Sequence, residues 1–190
     1  MRFYKKWYHP LLYALVVGGL CGILLYRLLK VNHFEFQEYF NYGVSWIENK
    51  ENISKGDYLF FIWRKRMKEV LWIILFSFTI FSKVYNFFYC FLTSMMHMLF
   101  LEGLMEQKGI KGILYFIGNC FPHYFLYIPI IAYVLYFSMQ TRQYILNNSS
   151  SSWKRMCMKM IPSILLIFGM VFLECLVETY GNIEILKRIY

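Results

Sequence analysis

From Val70 to Leu101 the sequence runs 32 residues with one formal charge, Lys83. A straight helix of that length reaches about 48 Å at 1.5 Å per residue, well beyond the roughly 30 Å hydrocarbon core of a bilayer. The stretch therefore reads as two membrane helices, about 70–85 and 86–105, joined by a tight turn around Ser82–Asn86. Lys83 then sits at the turn, where its ammonium group reaches water while its stem stays apolar. Composition agrees: 59% of residues are hydrophobic and 16% charged, against roughly 25% charged in a soluble domain. The apolar residues also come in runs rather than in amphipathic stripes.

Three further runs fit single spans, at about 9–29, 112–139 and 161–177. The expectation is an all-α integral membrane protein, one polytopic domain over residues 1–190, with about five transmembrane helices. Its main loop covers 31–69 and a basic connector covers 140–160. The loop carries six acidic and six basic residues and many aromatics, so parts of it suit the membrane surface. The N-terminal MRFYKKWYHPLLYALVVGGLCGILLY has the layout of a signal peptide but lacks a small-x-small cleavage site. Leu20 stands where a lipoprotein box needs a small residue. The segment reads as an uncleaved first span.

The net charge is +9, but the basic residues mostly flank apolar runs, as positive-inside sorting and anionic lipid require. Membrane lipid, not nucleic acid, is the expected partner. Arg2, Lys5 and Lys6 and the connector's Arg142, Lys154, Arg155 and Lys159 fall on one side of a five-span chain. That places the N-terminus in the cytoplasm, although Arg64, Lys65, Arg66 and Lys68 then face outward. The five cysteines, Cys21, Cys90, Cys120, Cys157 and Cys175, show no C-x-x-C spacing and read as small buried hydrophobes.

Gly18-x-x-x-Gly22 in the first span supplies a small-residue packing face, for a helix of the same chain or for a homo-oligomer. His97, Glu102, Glu174 and Glu178 lie in or at the ends of spans, where ionisable groups are costly and become candidates for function. Glu178 and Glu102 fall near helix ends, at the interface; Glu174 and His97 are candidates for a buried polar role. Glu174 and Glu178 share a helix face. No G-x-S lies within a span (the one triplet, Gly43-Val44-Ser45, is in the loop), no paired-glutamate or H-E-x-x-H motif occurs, nor any phosphate-cradling glycine loop, and the four histidines lack metal-ligand spacing. Catalytic, cofactor and metal sites are therefore not expected, and the chain reads as a non-enzyme.

The fourth span carries Asn119, Pro122, His123 and Pro129. Proline removes a helical hydrogen bond, and in lipid the freed groups must be shielded by protein or by a wet cavity. The span is expected to be proline-kinked or broken and packed inside the bundle.

These residues belong to a longer pattern. Gln107, Gly109, Lys111 and Gly112 form a Q-x-G-x-K-G turn. After about nine apolar residues come Pro122-His123 and then Ile128-Pro129. The pattern resembles that of the stage II sporulation protein M family of small polytopic bacterial membrane proteins. The five-span layout, the long first loop, the basic connector and Glu178 near the last span's end also resemble that family. The chain departs from it at Tyr124 and Tyr127, and Ser94, Met98, Glu102 and Gly103 replace a glycine-rich third span.

The resemblance implies a non-enzymatic scaffold or anchor of the septal engulfment machinery in endospore formation. It also implies two peptidoglycan-degrading partners resembling stage II sporulation proteins D and P. The location implied is the bacterial cell membrane, in the mother-cell septal or engulfing region. The residues also fit a small transporter or permease subunit with a substrate site at the broken fourth span, since transporters place discontinuous helices there.

Overall fold

The computed structural model describes residues 5–31, 55–121, 123–147 and 153–182. Its elements are α1 (Lys5–Val31), α2 (Lys55–Ser77), α3 (Ser82–Lys108), α4 (Lys111–Cys120), α5 (His123–Asn147) and α6 (Trp153–Val177). A π-helical turn, Glu178–Asn182, extends α6. No strand occurs among the described residues. Four segments are long and apolar enough to cross a membrane: His9–Lys30, Ser82–Lys108, His123–Leu146 and Met160–Gly181. Their outward faces match that role, as Leu12, Val16, Leu20, Leu24 and Leu28 form an exposed apolar stripe along α1. Such a stripe suits lipid, whereas a soluble monomer rarely exposes an apolar patch of that size.

α2 is not among those four segments, because Arg64, Lys65, Arg66, Lys68 and Glu69 occupy its middle. It begins at Lys55, so the C-terminal part of the expected 31–69 loop is helical. The turn after it lies at Phe78–Phe81, ahead of the expected Ser82–Asn86, and Lys83 falls in the first turn of α3. Hydroxyl side chains account for the earlier stop. Ser77 Oγ donates to the Ile74 carbonyl at 2.5 Å and Thr79 Oγ1 to the Phe76 carbonyl at 2.8 Å, competing with the helical ladder. The expected connector is also shorter than 140–160, since α5 runs on to Asn147 and α6 starts at Trp153. The expected 112–139 span is occupied by α4 and α5, with α4 ending at Cys120 and α5 starting at His123. Pro122 lies outside the described residues; Pro129 lies within the continuous α5.

The chain divides into two compact units, the divisions falling between residues 53 and 54, inside α3 and inside α4. In the first unit, α1 packs on residues 86–117. A Cβ added to Gly18 or Gly22 would strike the backbone carbonyl of Phe91 or Met95 respectively. Ser94 Oγ donates to the Leu15 carbonyl at 2.6 Å, and Lys30 Nζ meets Glu106 Oε1 at 2.8 Å. Contact positions rise together along both helices, so α1 and this part of α3 run parallel. The glycine pair is thus used inside the chain, where backbone approach replaces side-chain bulk.

The second unit packs α2, α5 and α6 pairwise. Its core holds Ile62, Val70, Ile73 and Ile74 of α2, Ile130 and Val134 of α5, and Ile167 and Val171 of α6. Tyr127 of α5 bonds Glu69 of α2, and farther along both paths Ser138 Oγ lies 3.0 Å from Ser82 Oγ. α2 and α5 are therefore parallel. α6 runs against both: Met160 at its start meets Thr141 near the end of α5, while Phe172 near its end meets Trp63 near the start of α2. Apolar contact between helices gains little over contact with lipid tails, so packing fit and polar contacts select the partners.

Candidate functional site

The buried stripe of α2 runs through Tyr58, Ile62, Val70, Ile73 and Ser77. Helical spacing of three and four residues puts Arg66 and Glu69 on the same stripe. They cannot turn to solvent as Arg64, Lys65 and Lys68 do. Opposite them stand the first turn of α5, with His123 and Tyr127, and the end of α6, with Glu174 and Glu178. Six polar side chains from three helices therefore meet at one end of the second unit.

Arg66 is the hub. Its Nη2 lies 3.4 Å from Glu178 Oε2, its Nη1 3.7 Å from Glu69 Oε2, and its Nε 3.9 Å from Glu174 Oε1. The guanidinium carbon sits 4.2 Å from the centre of the Tyr127 ring, a cation–π distance. Tyr127 OH in turn donates to Glu69 Oε2 at 2.7 Å. Burial works against the Arg66 charge, but Tyr127, Glu178, Glu174 and Glu69 outweigh it and hold the guanidinium above its ordinary range. Burial, with Glu178 nearby, likewise holds the Tyr58 hydroxyl above its usual range.

His123 is buried, with Nε2 3.9 Å from Glu178 Oε2 and its ring edge-on to Tyr124. Glu174 is fully buried, and its Oε1 makes no hydrogen bond. Its other oxygen accepts from the Cys175 thiol at 3.6 Å. His123, Glu174 and Glu178 each offer one ligand atom, and these atoms all lie within 4.8 Å of one another. The π-helical turn begins at Glu178, and Thr179 Oγ1 caps the Cys175 carbonyl at 2.8 Å. Short π segments inside helices recur at functional sites because they re-aim side chains.

The candidates from the sequence distribute as follows. Glu174, Glu178 and His123 come together; Glu178 is not a solvated helix-end residue, being 14% exposed inside the cluster. His97 is half-buried and donates from Nδ1 to the Thr93 carbonyl at 2.5 Å, one turn back in its own helix. Glu102 is half-buried in α3. Gln107 lies in the last turn of α3; Gly109 has φ +59°, a left-handed conformation. Lys111 opens α4, and a Cβ on Gly112 would strike the Leu104 carbonyl. Ile128 and Pro129 face outward from α5.

Arg66, Glu69 and Tyr127 were not anticipated. The run R-K-R-M-K-E looked like membrane-flanking charge, yet the period of the apolar residues on either side already put Arg66 and Glu69 on the inner face. Glu106 was missed for a similar reason: in a short polar turn it looked solvated, but it pairs with Lys30 and accepts from Tyr26 OH. No protein-family model, no curated protein and no solved structure matches the chain.

Proposed function

We propose that the chain is a non-enzymatic membrane scaffold of the stage II sporulation protein M type. On this reading it anchors peptidoglycan hydrolases resembling stage II sporulation proteins D and P at the septal or engulfing cell membrane during endospore formation. The observation that carries the reading is the two-part motif, three of whose residues, Gly109, Gly112 and His123, occupy constrained positions. Gly109 adopts a positive φ that side chains disfavour, Gly112 has no room for a Cβ, and His123 is buried against the ionic cluster.

α2 (Lys55–Ser77) supplies the fifth crossing, which the sequence suggests over about 70–85 and which the turn at Phe78–Phe81 ends earlier. Within the first unit α1 and α3 are parallel; within the second α2 and α5 are parallel and α6 opposes them. A chain that crosses five times in alternation has these relative directions. Arg66 lies level with His123 at the start of the α5 span, so the cluster belongs to a membrane boundary. Its carboxylates offset the Arg66 charge, leaving Arg64, Lys65 and Lys68 as the exposed basic residues there. That weakens the one charge signal opposing a cytoplasmic N-terminus. The 31–54 segment then faces the wall side, where hydrolases act.

The test is cross-linking in cells followed by affinity recovery of the tagged full chain. Recovery of peptidoglycan hydrolases, lost when residues 35–53 are shuffled, is expected. Recovery of no hydrolase would refute the scaffold role.

A small transporter or permease subunit is the second reading. It is favoured by the interruption between α4 and α5 beside a buried cluster of charges, as at transporter substrate sites. Solute flux in proteoliposomes that disappears with His123→Leu would select it.

A further inference from the structure

We propose that His123, Glu174 and Glu178 form a binding site for a divalent transition-metal ion, for which zinc is the natural probe. The three side chains come from two helices and offer one imidazole nitrogen and two carboxylate oxygens, all within 4.8 Å of one another. Ligand atoms on a tetrahedral zinc at about 2.0–2.2 Å stand roughly 3.3–3.6 Å apart. The 3.9 Å between His123 Nε2 and Glu178 Oε2 exceeds this by a few tenths of an ångström, and the 4.8 Å limit of the set exceeds it by about an ångström, so side-chain rotation closes the three onto an ion. An imidazole with carboxylates suits zinc and its first-row neighbours, whereas calcium and magnesium call for an all-oxygen shell.

An independent observation points the same way. Glu174 is fully buried and its Oε1, the atom facing Arg66 within the cluster, has no hydrogen-bond donor. A buried carboxylate oxygen left in this way is costly. Arg66 does not remove the deficit, because its guanidinium is shared among Glu69, Glu174 and Glu178 and lies 3.9 Å from Glu174. With all three carboxylates ionised, one guanidinium leaves two negative charges in a largely buried site, and buried charge demands compensation, by a shared proton or by a cation. One dication supplies it. Arg66 need not leave, since the Tyr127 ring and Glu69 hold it from the other side. Three protein ligands would leave a coordination position open.

Purified full-length protein, stripped with chelator and titrated with Zn²⁺ alone, tests the site. One zinc per chain is expected. X-ray absorption should report nitrogen and oxygen scatterers at about 2.0–2.2 Å and no sulfur. His123→Ala, Glu174→Gln and Glu178→Gln should each weaken binding by more than the roughly 10–100-fold that loss of an outer-shell partner costs. Glu106→Gln, in the other unit, should change nothing. If the variants do not fold, the wild-type stoichiometry and scatterer set decide alone. Absence of stoichiometric zinc, sulfur in its shell, or binding unchanged in all three folded variants would overturn the proposal; the cluster would then be a proton-compensated ionic network.

Discussion

Arg66 Nη2 and Glu178 Oε2, 112 residues apart in sequence, stand 3.4 Å apart and join the charged middle of α2 to the end of α6. His123 approaches the same carboxylate oxygen from α5, so one contact locates three helices. In a membrane, where apolar surfaces do not distinguish one neighbour from another, such a contact sets register.

Removing one member of a buried charge group should cost more than removing a matched pair. Arg66→Met leaves three carboxylates without their guanidinium and is expected to destabilise by about 3–5 kcal/mol. Glu178→Gln should cost less, because Arg66 keeps Glu69 and Glu174. The double variant should be more stable than the sum of the singles predicts, with a coupling of roughly 0.5–3 kcal/mol. Denaturant unfolding of the purified protein in chelator measures the cycle; strict additivity would mean that the contact does not operate.

The fold was legible where periodicity and length are decisive. The excess length of 70–101 demanded a turn, and its position shifted by a few residues because Ser77 and Thr79 end α2 early. α2 itself was only half legible. Its apolar C-terminal half reads as membrane helix, while Arg64–Glu69 reads as flanking charge, and only the helical phase separates inward Arg66 from outward Lys65. The cluster was less visible still. Glu174 and Glu178 announce one face through their spacing, but that His123 and Arg66 converge on that face depends on which helices pack together, and local sequence does not record this.

Gly22 tests the close approach of α1 to α3. A Cβ there meets the Met95 backbone carbonyl, which cannot rotate away as a side chain can. Gly22→Leu should lower stability by about 1–3 kcal/mol, read as a lower thermal midpoint in detergent. Gly169→Ala is the control: its Cβ meets nothing within 4 Å, and the midpoint should stay level or rise slightly.

Gly109 tests the turn of the motif. With φ at +59°, Gly109→Val should cost at least the roughly 1–2 kcal/mol of a left-handed side-chain residue. Gly109→Asn should cost less, since asparagine tolerates that region. Equal midpoints for the two variants would show that the turn does not require the conformation.

The proposed crossing by α2 has a direct consequence for sidedness. In a cysteine-free background, Glu51→Cys and Lys108→Cys should react with an impermeant maleimide from the wall side, and Ser150→Cys only after permeabilisation. If α2 does not cross, residues 51 and 150 share a side and label together.

The scaffold role itself is tested most directly by following the hydrolases rather than the scaffold. In cells lacking this chain, fluorescently tagged peptidoglycan hydrolases should lose their septal focus and spread along the membrane while retaining activity on isolated cell wall. Wild-type chain should restore the focus, and a folded His123→Leu variant should restore it poorly. Hydrolases that keep their septal focus without the chain would contradict the role.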